Sequence, residues 1–340
     1  MPRIMLFVLM LAPLSAAADA GAVASGGRVL SDSREQRLID AFADLERTRN
    51  VLITVDEEPV VEHVYSAPGI DQPANIKSVA KIVISALVGA GIERGVIDSA
   101  DQPVVELLGD AVPPDADARV ASITVGNLLS MQAGLERTSG RNYGEWVNSD
   151  DWVAYALSRA FVDEPGGDML YSTGNSHILS AALTHASGRS TLELAREWLG
   201  EPLDIRIPAW DTDPQGIYFG GNNMRLSARA LARIGMLYQG GGVFDGKRVF
   251  GPEWIKKSWT GHTRSRYTGD AYGYGWFTTE LAGQTVRYGW GYGGQFLYVV
   301  PRLDLIVVLV SDPTPPSPQS ELVRRVHALV AKEVIPAIRD

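Results

Sequence analysis

Two periods of apolar and polar positions run along this chain, and they are segregated. Residues 33–48 place Leu38, Ile39, Phe42 and Leu45 on one stripe, which predicts an amphipathic helix. Residues 51–55 and 60–65 are short apolar runs around the acidic turn Asp56-Glu57-Glu58, which predicts a hairpin. A long apolar run from 78 to 94 predicts the next helix. Polar residues 98–103 end it, and a short apolar run follows at 104–108. Thr124 is placed to cap a helix over 125–131 that stops at Ala133-Gly134. Helical patterns recur near 150–160, 175–187, 191–199 and 227–239. After about residue 270 the period shortens. Segments 274–280, 284–288, 295–300 and 305–310 all predict strands, and a closing helix is expected over 320–335. Strands at both ends with helices between predict an α+β fold. An antiparallel sheet would draw on both chain ends (about 33–75 and 270–340), flanked by helices, with a mainly helical region inserted at about 95–265.

The first residues change the picture of where the chain acts. A basic start at Arg3, an apolar middle from 4 to 14 and an Ala-rich exit have the layout of a secretory signal peptide over 1–20. The apolar stretch is short for a membrane span and carries Pro13. The expectation is a periplasmic or secreted protein, cleaved after Ala18 or Ala20, with no stable membrane insertion afterwards. About 320 residues then remain, enough for one large domain or two intertwined ones. A net charge of -9 without any basic run argues against a nucleic-acid partner. The absence of cysteine removes disulfides, thiolate nucleophiles and cysteine-based metal sites.

Three clusters carry candidate chemistry. Ser78-Val79-Ala80-Lys81 puts a hydroxyl and an amine three positions apart at the head of the apolar helix, where both face the same space. An alcohol becomes a good nucleophile when a neighbouring base takes its proton, and a desolvated neutral amine is such a base. Tyr171-Ser172-Thr173-Gly174-Asn175 precedes a helical run, and a tyrosine hydroxyl near a cationic lysine can share a proton at workable pH. Gly-rich Tyr288-Gly289-Trp290-Gly291-Tyr292-Gly293-Gly294-Gln295 leads into a strand. Glycines there let a ligand lie along a strand edge whose free N–H groups can hold an oxyanion. His177 reads as a supporting or surface residue rather than a catalytic base.

In order and context these clusters resemble the serine hydrolases of the β-lactamase and penicillin-binding-protein superfamily, in particular its class C, esterase and 6-aminohexanoate-oligomer hydrolase branch. The Ser-x-x-Lys spacing is one of that superfamily's motifs. Residues 97–103, the 123–135 segment with Leu128-Leu129 and Gly134-Leu135, and Met224-Arg225-Leu226-Ser227 through Gly235 also match, so the resemblance spans about 35–335. It implies an acyl-enzyme on Ser78, with Lys81 and Tyr171 sharing the general-base and general-acid work. It further implies an oxyanion hole from the backbone of Ser78 and of the Tyr292-Gly293-Gly294-Gln295 stretch. Thr173, Asn175 and Trp290 are expected as supports, and neither metal nor organic cofactor is implied.

Two departures bear on substrate. Thr173 stands where many members carry Asn, and Tyr292-Gly293-Gly294 stands where penicillin-recognising members carry a cation. The partner for a substrate carboxylate is then missing unless Arg287 supplies it. The expected substrates are small esters or amides, ahead of lactams. The rival readings are a penicillin-binding D-Ala-D-Ala carboxypeptidase or β-lactamase and, from another class, a catalytically silent ligand-binding relative.

Overall fold

The computed structural model describes residues 30–314 and 319–339, so the leader-like segment at 1–20 lies outside the described residues. Its centre is an eight-stranded antiparallel sheet. The chain enters with helix α1 (Asp32–Ala43) and the hairpin β1 (Thr48–Val55) and β2 (Glu58–Val64). The turn takes Asp56 and Glu57 at positive φ, and Glu58 already belongs to β2. The sheet resumes with β3 (Thr263–Arg264), β4 (Ala271–Tyr272), β5 (Phe277–Leu281), β6 (Gln284–Gly291), β7 (Gln295–Val300) and β8 (Leu305–Ser311). The spatial order is β2-β1-β8-β7-β6-β5-β4-β3, so the last strand pairs with the first and closes the two chain ends together.

β8 shows why the late strands read as continuous apolar runs. Leu305, Val307 and Leu309 enter one core, while Ile306, Val308 and Val310 enter another. A strand covered on both faces needs no polar side. One face is covered by α1 and the closing helix, α5 (Gln319–Leu329). The other is covered by α2 (Ala80–Glu93), α3 (Thr173–Ser187) and α4 (Ala228–Gln239). Helix α2 is buried along almost its whole length, which accounts for its lack of a polar stripe.

The structure moves several expected boundaries. Residues 77–79 form a 3₁₀ turn, and α2 proper begins at Ala80. Lys77 holds φ at 49°, a left-handed conformation that presents Ser78 at a sharp entry to the helix. Residues 273–276 are a turn rather than strand, because Gly273 N–H bonds to Trp276 C=O. The sheet begins again at Thr263, before the expected 270, and α4 packs on it although it lies within the sequence segment expected to be a separate helical region. Short strands of two residues carry too little periodicity to be read from sequence.

Candidate active site

A cleft of about 1020 Å³ opens between the helical region, the outer end of the sheet and α5. Ser78 and Tyr171 both line it. Lys81 sits one helical turn beyond Ser78 and is buried, with Nζ 3.1 Å from Ser78 Oγ, 2.8 Å from the Gly221 carbonyl and 3.4 Å from Thr173 Oγ1. Burial pushes its amine down from 10.5 to about 7, and no carboxylate opposes that shift. Near neutral pH a large fraction of Lys81 is therefore an uncharged base within reach of the Ser78 hydroxyl.

Tyr171 arrives from the residue before α3's N-cap. Its ring lies 4.9 Å below Lys81 Nζ and its hydroxyl is turned to Ser78. Burial pushes its phenol up to about 12, so it stays protonated and can donate a hydrogen bond. Thr173 opens α3 and reaches both Lys81 and Ser139 Oγ, the latter at 3.0 Å. Asn175 is buried two positions further along the helix and does not line the cleft.

The glycine-rich hairpin approaches from the sheet side. A Cβ on Gly291 would come within 2.9 Å of Ser78 N and 2.7 Å of Ile76 O, so only glycine lets β6 pass this close to the nucleophile turn. Gly289 meets Ile82 in the same way. Pairing with β5 ends at Tyr288, which leaves the outer edge of β6 free from Gly289 onward. The Gly291 carbonyl accepts from Gly294 N–H across the turn at 3.2 Å. In a trans peptide the next N–H points the opposite way, so Tyr292 N–H is aimed out of the hairpin on that free edge. Trp290 and Tyr292 side chains both line the cleft.

The rest of the expected third cluster turns elsewhere. A Cβ on Gly293 would strike Pro313, and one on Gly294 would strike Ser311. Gln295 opens the interior strand β7 opposite Gly291, and its side chain is spent on Ser311, with Nε2 2.7 Å from the carbonyl and Oε1 3.2 Å from the amide. The structure thus separates Gly293, Gly294 and Gln295 from the space above Ser78 and brings Tyr292 to it. Arg287 is not at the cleft either; it bonds Trp259 O and Thr278 Oγ1.

Other residues at the site escaped the sequence reading. Lys77, Arg137 and Arg324 give the cleft wall three cations against one carboxylate, Asp270, whose Oδ2 takes the Tyr288 hydroxyl at 2.5 Å. None of the three comes from the glycine-rich hairpin, where no cation was expected. Ser139, Tyr143 and Asn222 also line the cleft. Gly221 contributes a carbonyl, a group every residue carries, so nothing in the sequence marks it. His177, expected as a support or surface residue, is fully buried and paired with Asp213.

The sequence and the fold of this chain match known proteins over most of its length. The chain is 27% identical over 308 residues to the 6-aminohexanoate-dimer hydrolase of Paenarthrobacter ureafaciens, covering 83% of this chain and 77% of that one. Its fold is similar to that of EstCE1, a hydrolase with promiscuous acyltransferase activity, with a TM-score of 0.68 at 18% identity over 87% of this chain and 98% of the other. It is likewise similar to the class C β-lactamase of Rhodobacter sphaeroides, with a TM-score of 0.66 at 14% identity over 88% and 99% of the two chains. The family model described as Beta-lactamase matches residues 36–332, and the chain belongs to the beta-lactamase family.

Proposed function

We propose that this protein is a serine hydrolase that forms an acyl-enzyme on Ser78 and acts on small esters or amides. The observation that carries the reading is the fully buried Lys81 amine, lowered to about 7 and 3.1 Å from Ser78 Oγ. As the substrate carbonyl arrives, the Lys81 lone pair takes the Ser78 proton and Oγ attacks the carbonyl carbon. The developing oxyanion is held by the N–H groups of Ser78 and Tyr292. Tyr171 passes the proton to the departing alcohol or amine, the C–O or C–N bond breaks, and Ser78 is left acylated. Water then attacks the acyl carbonyl with Lys81 again as base, releasing the acid and restoring the Ser78 hydroxyl.

The ranking of esters and amides over β-lactams rests on position. The glycine-rich hairpin offers a neutral Tyr292 beside the oxyanion site, and the cleft's three cations sit on other walls. Charge-assisted hydrogen bonds contribute about 1.5–3 kcal/mol, so a misplaced cation is worth roughly ten- to hundred-fold in efficiency. The test is covalent labelling. A fluorophosphonate probe should mark Ser78, mapped by mass spectrometry, and Ser78→Ala should lose both the label and p-nitrophenyl butyrate hydrolysis while keeping its melting temperature. Labelling at another residue overturns the acyl-enzyme assignment. Faster turnover of benzylpenicillin than of simple esters overturns the ranking.

A further inference from the structure

His177 lies one helical turn beyond Thr173 on α3, on the same side as the Lys81 pocket. It does not touch Lys81. Its Nδ1 accepts the Gly220 N–H at 3.3 Å, and its Nε2 lies 2.9 Å from Asp213 Oδ2. A backbone N–H can only donate, so Nδ1 is the bare nitrogen and Nε2–H donates to the carboxylate. The tautomer is fixed. The other Asp213 oxygen, Oδ1, takes the N–H groups of Gln215 and Ile217 at 2.9 and 2.8 Å. Asp213 thereby closes the 211–219 loop and hands its free oxygen to the histidine.

The next peptide reaches the catalytic amine. Gly221 C=O receives Lys81 Nζ at 2.8 Å. Neither glycine has room for a side chain: a Cβ on Gly220 would lie 2.1 Å from Ser176 O, and one on Gly221 would lie 2.9 Å from Lys81 Cγ. Trp146, Trp152 and Phe219 pack their rings around the imidazole at centroid distances of 5.9, 5.3 and 5.8 Å. The polar pair is therefore sealed in an aromatic box. A loop can be fastened to a helix by apolar packing alone, and burying a carboxylate costs free energy that such packing avoids.

A neutral lysine amine has two N–H bonds and one lone pair. With Gly221 O and Thr173 Oγ1 taking the two hydrogens, the lone pair is left for the Ser78 hydroxyl. We propose that His177, oriented by Asp213, is a positioning residue for Lys81. It holds the Gly220–Gly221 peptide so that the Gly221 carbonyl aims the amine's lone pair at Ser78. This rests on the reading of Lys81 as the base. Tyr171 is the titratable side chain placed against that amine, and Asp213 is the one placed against His177.

Asp213→Asn tests it without a change in size. Two backbone donors hold the amide oxygen, so the amide NH₂ must face His177 Nε2. That moves the imidazole proton to Nδ1, where it opposes the Gly220 N–H. The expected result is a kcat lowered about 10- to 100-fold with KM within about threefold. The acid limb of the pH profile should move to lower pH, because the ammonium loses its acceptor. A pair of histidine variants separates the two links. His177→Asn retains an acceptor for Gly220 and should keep more activity than His177→Gln, which retains only the donor to Asp213. If all three folded variants keep kcat and the pH profile within twofold of wild type, His177 and Asp213 are a structural tie and the proposal fails. Equal rate losses in His177→Asn and His177→Gln overturn it as well. Ser78 labelling of the wild type, measured alongside, shows separately whether the hydrolase reading itself stands.

Discussion

The two walls of the cleft solve their tasks with different parts of the chain. On the helical wall the chemistry belongs to side chains: Ser78, Lys81 and Tyr171 each bring a titratable or nucleophilic group. On the hairpin wall it belongs to the backbone, with Gly291 giving clearance and Tyr292 presenting an N–H. The helical wall depends on residue identity and on burial, which lowers Lys81. The hairpin wall depends on peptide orientation and tolerates changes of side chain that leave the N–H in place.

Substitutions sharpen this contrast, and the largest effect is expected at Lys81. Lys81→Met removes the proposed base and should lower kcat by about three orders of magnitude or more. Tyr171→Phe should lower it too, and the double variant should fall well short of the product of the two losses if, as proposed, the residues form one proton-transfer unit. Fully multiplicative losses would show that they act independently. The same Lys81→Met change should stabilise the fold. Between pH 7 and 10.5 the unfolded lysine holds a proton that the native amine has released, so the native state gains stability as pH rises through that window. Below pH 7 the native state carries a buried ammonium at full cost. The melting temperature of Lys81→Met relative to wild type should be greatest at or below pH 7, fall through that window and level off above 10.5. Wild-type kcat/KM should climb through an acid limb near pH 7. A flat profile from pH 5 to 9 would remove Lys81 as the base.

The hairpin wall is broken by proline. Tyr292 is the second residue of the 291–294 turn and Gly293 follows at φ 80°, an arrangement in which proline fits the position of Tyr292. Tyr292→Pro deletes one N–H, and loss of one oxyanion donor should cost about 10²–10³ in kcat. Tyr292→Phe keeps the N–H and should stay within about threefold. Equal behaviour of the two would place the oxyanion elsewhere.

The smallest catalytic effect is expected at Gln295. Gln295→Ala breaks two buried hydrogen bonds to Ser311 and should cost about 2–4 kcal/mol of stability. The rate of the folded enzyme should stay within about threefold. A hundred-fold loss in kcat would return Gln295 to the reacting centre.

The sequence by itself determined the sheet's composition, the apolar α2 and the Ser78–Lys81 spacing. Each of these is a local property: a period of two, a period of near four, or two residues on one helix face. It also determined Tyr171 as a neighbour of α3, because the helix start is written in the residues that follow it. Only the tertiary structure decided that Lys81 is sealed from water and so titrates near 7, since desolvation depends on what chains distant in sequence bring over it. It decided that Tyr292 and not Gln295 lines the cleft with Ser78, because peptide direction in a turn follows from backbone angles that several sequences can adopt. It decided as well that Gly221, 140 positions from Lys81, lends its carbonyl to the amine. Every residue has a carbonyl, and only the fold says where one points.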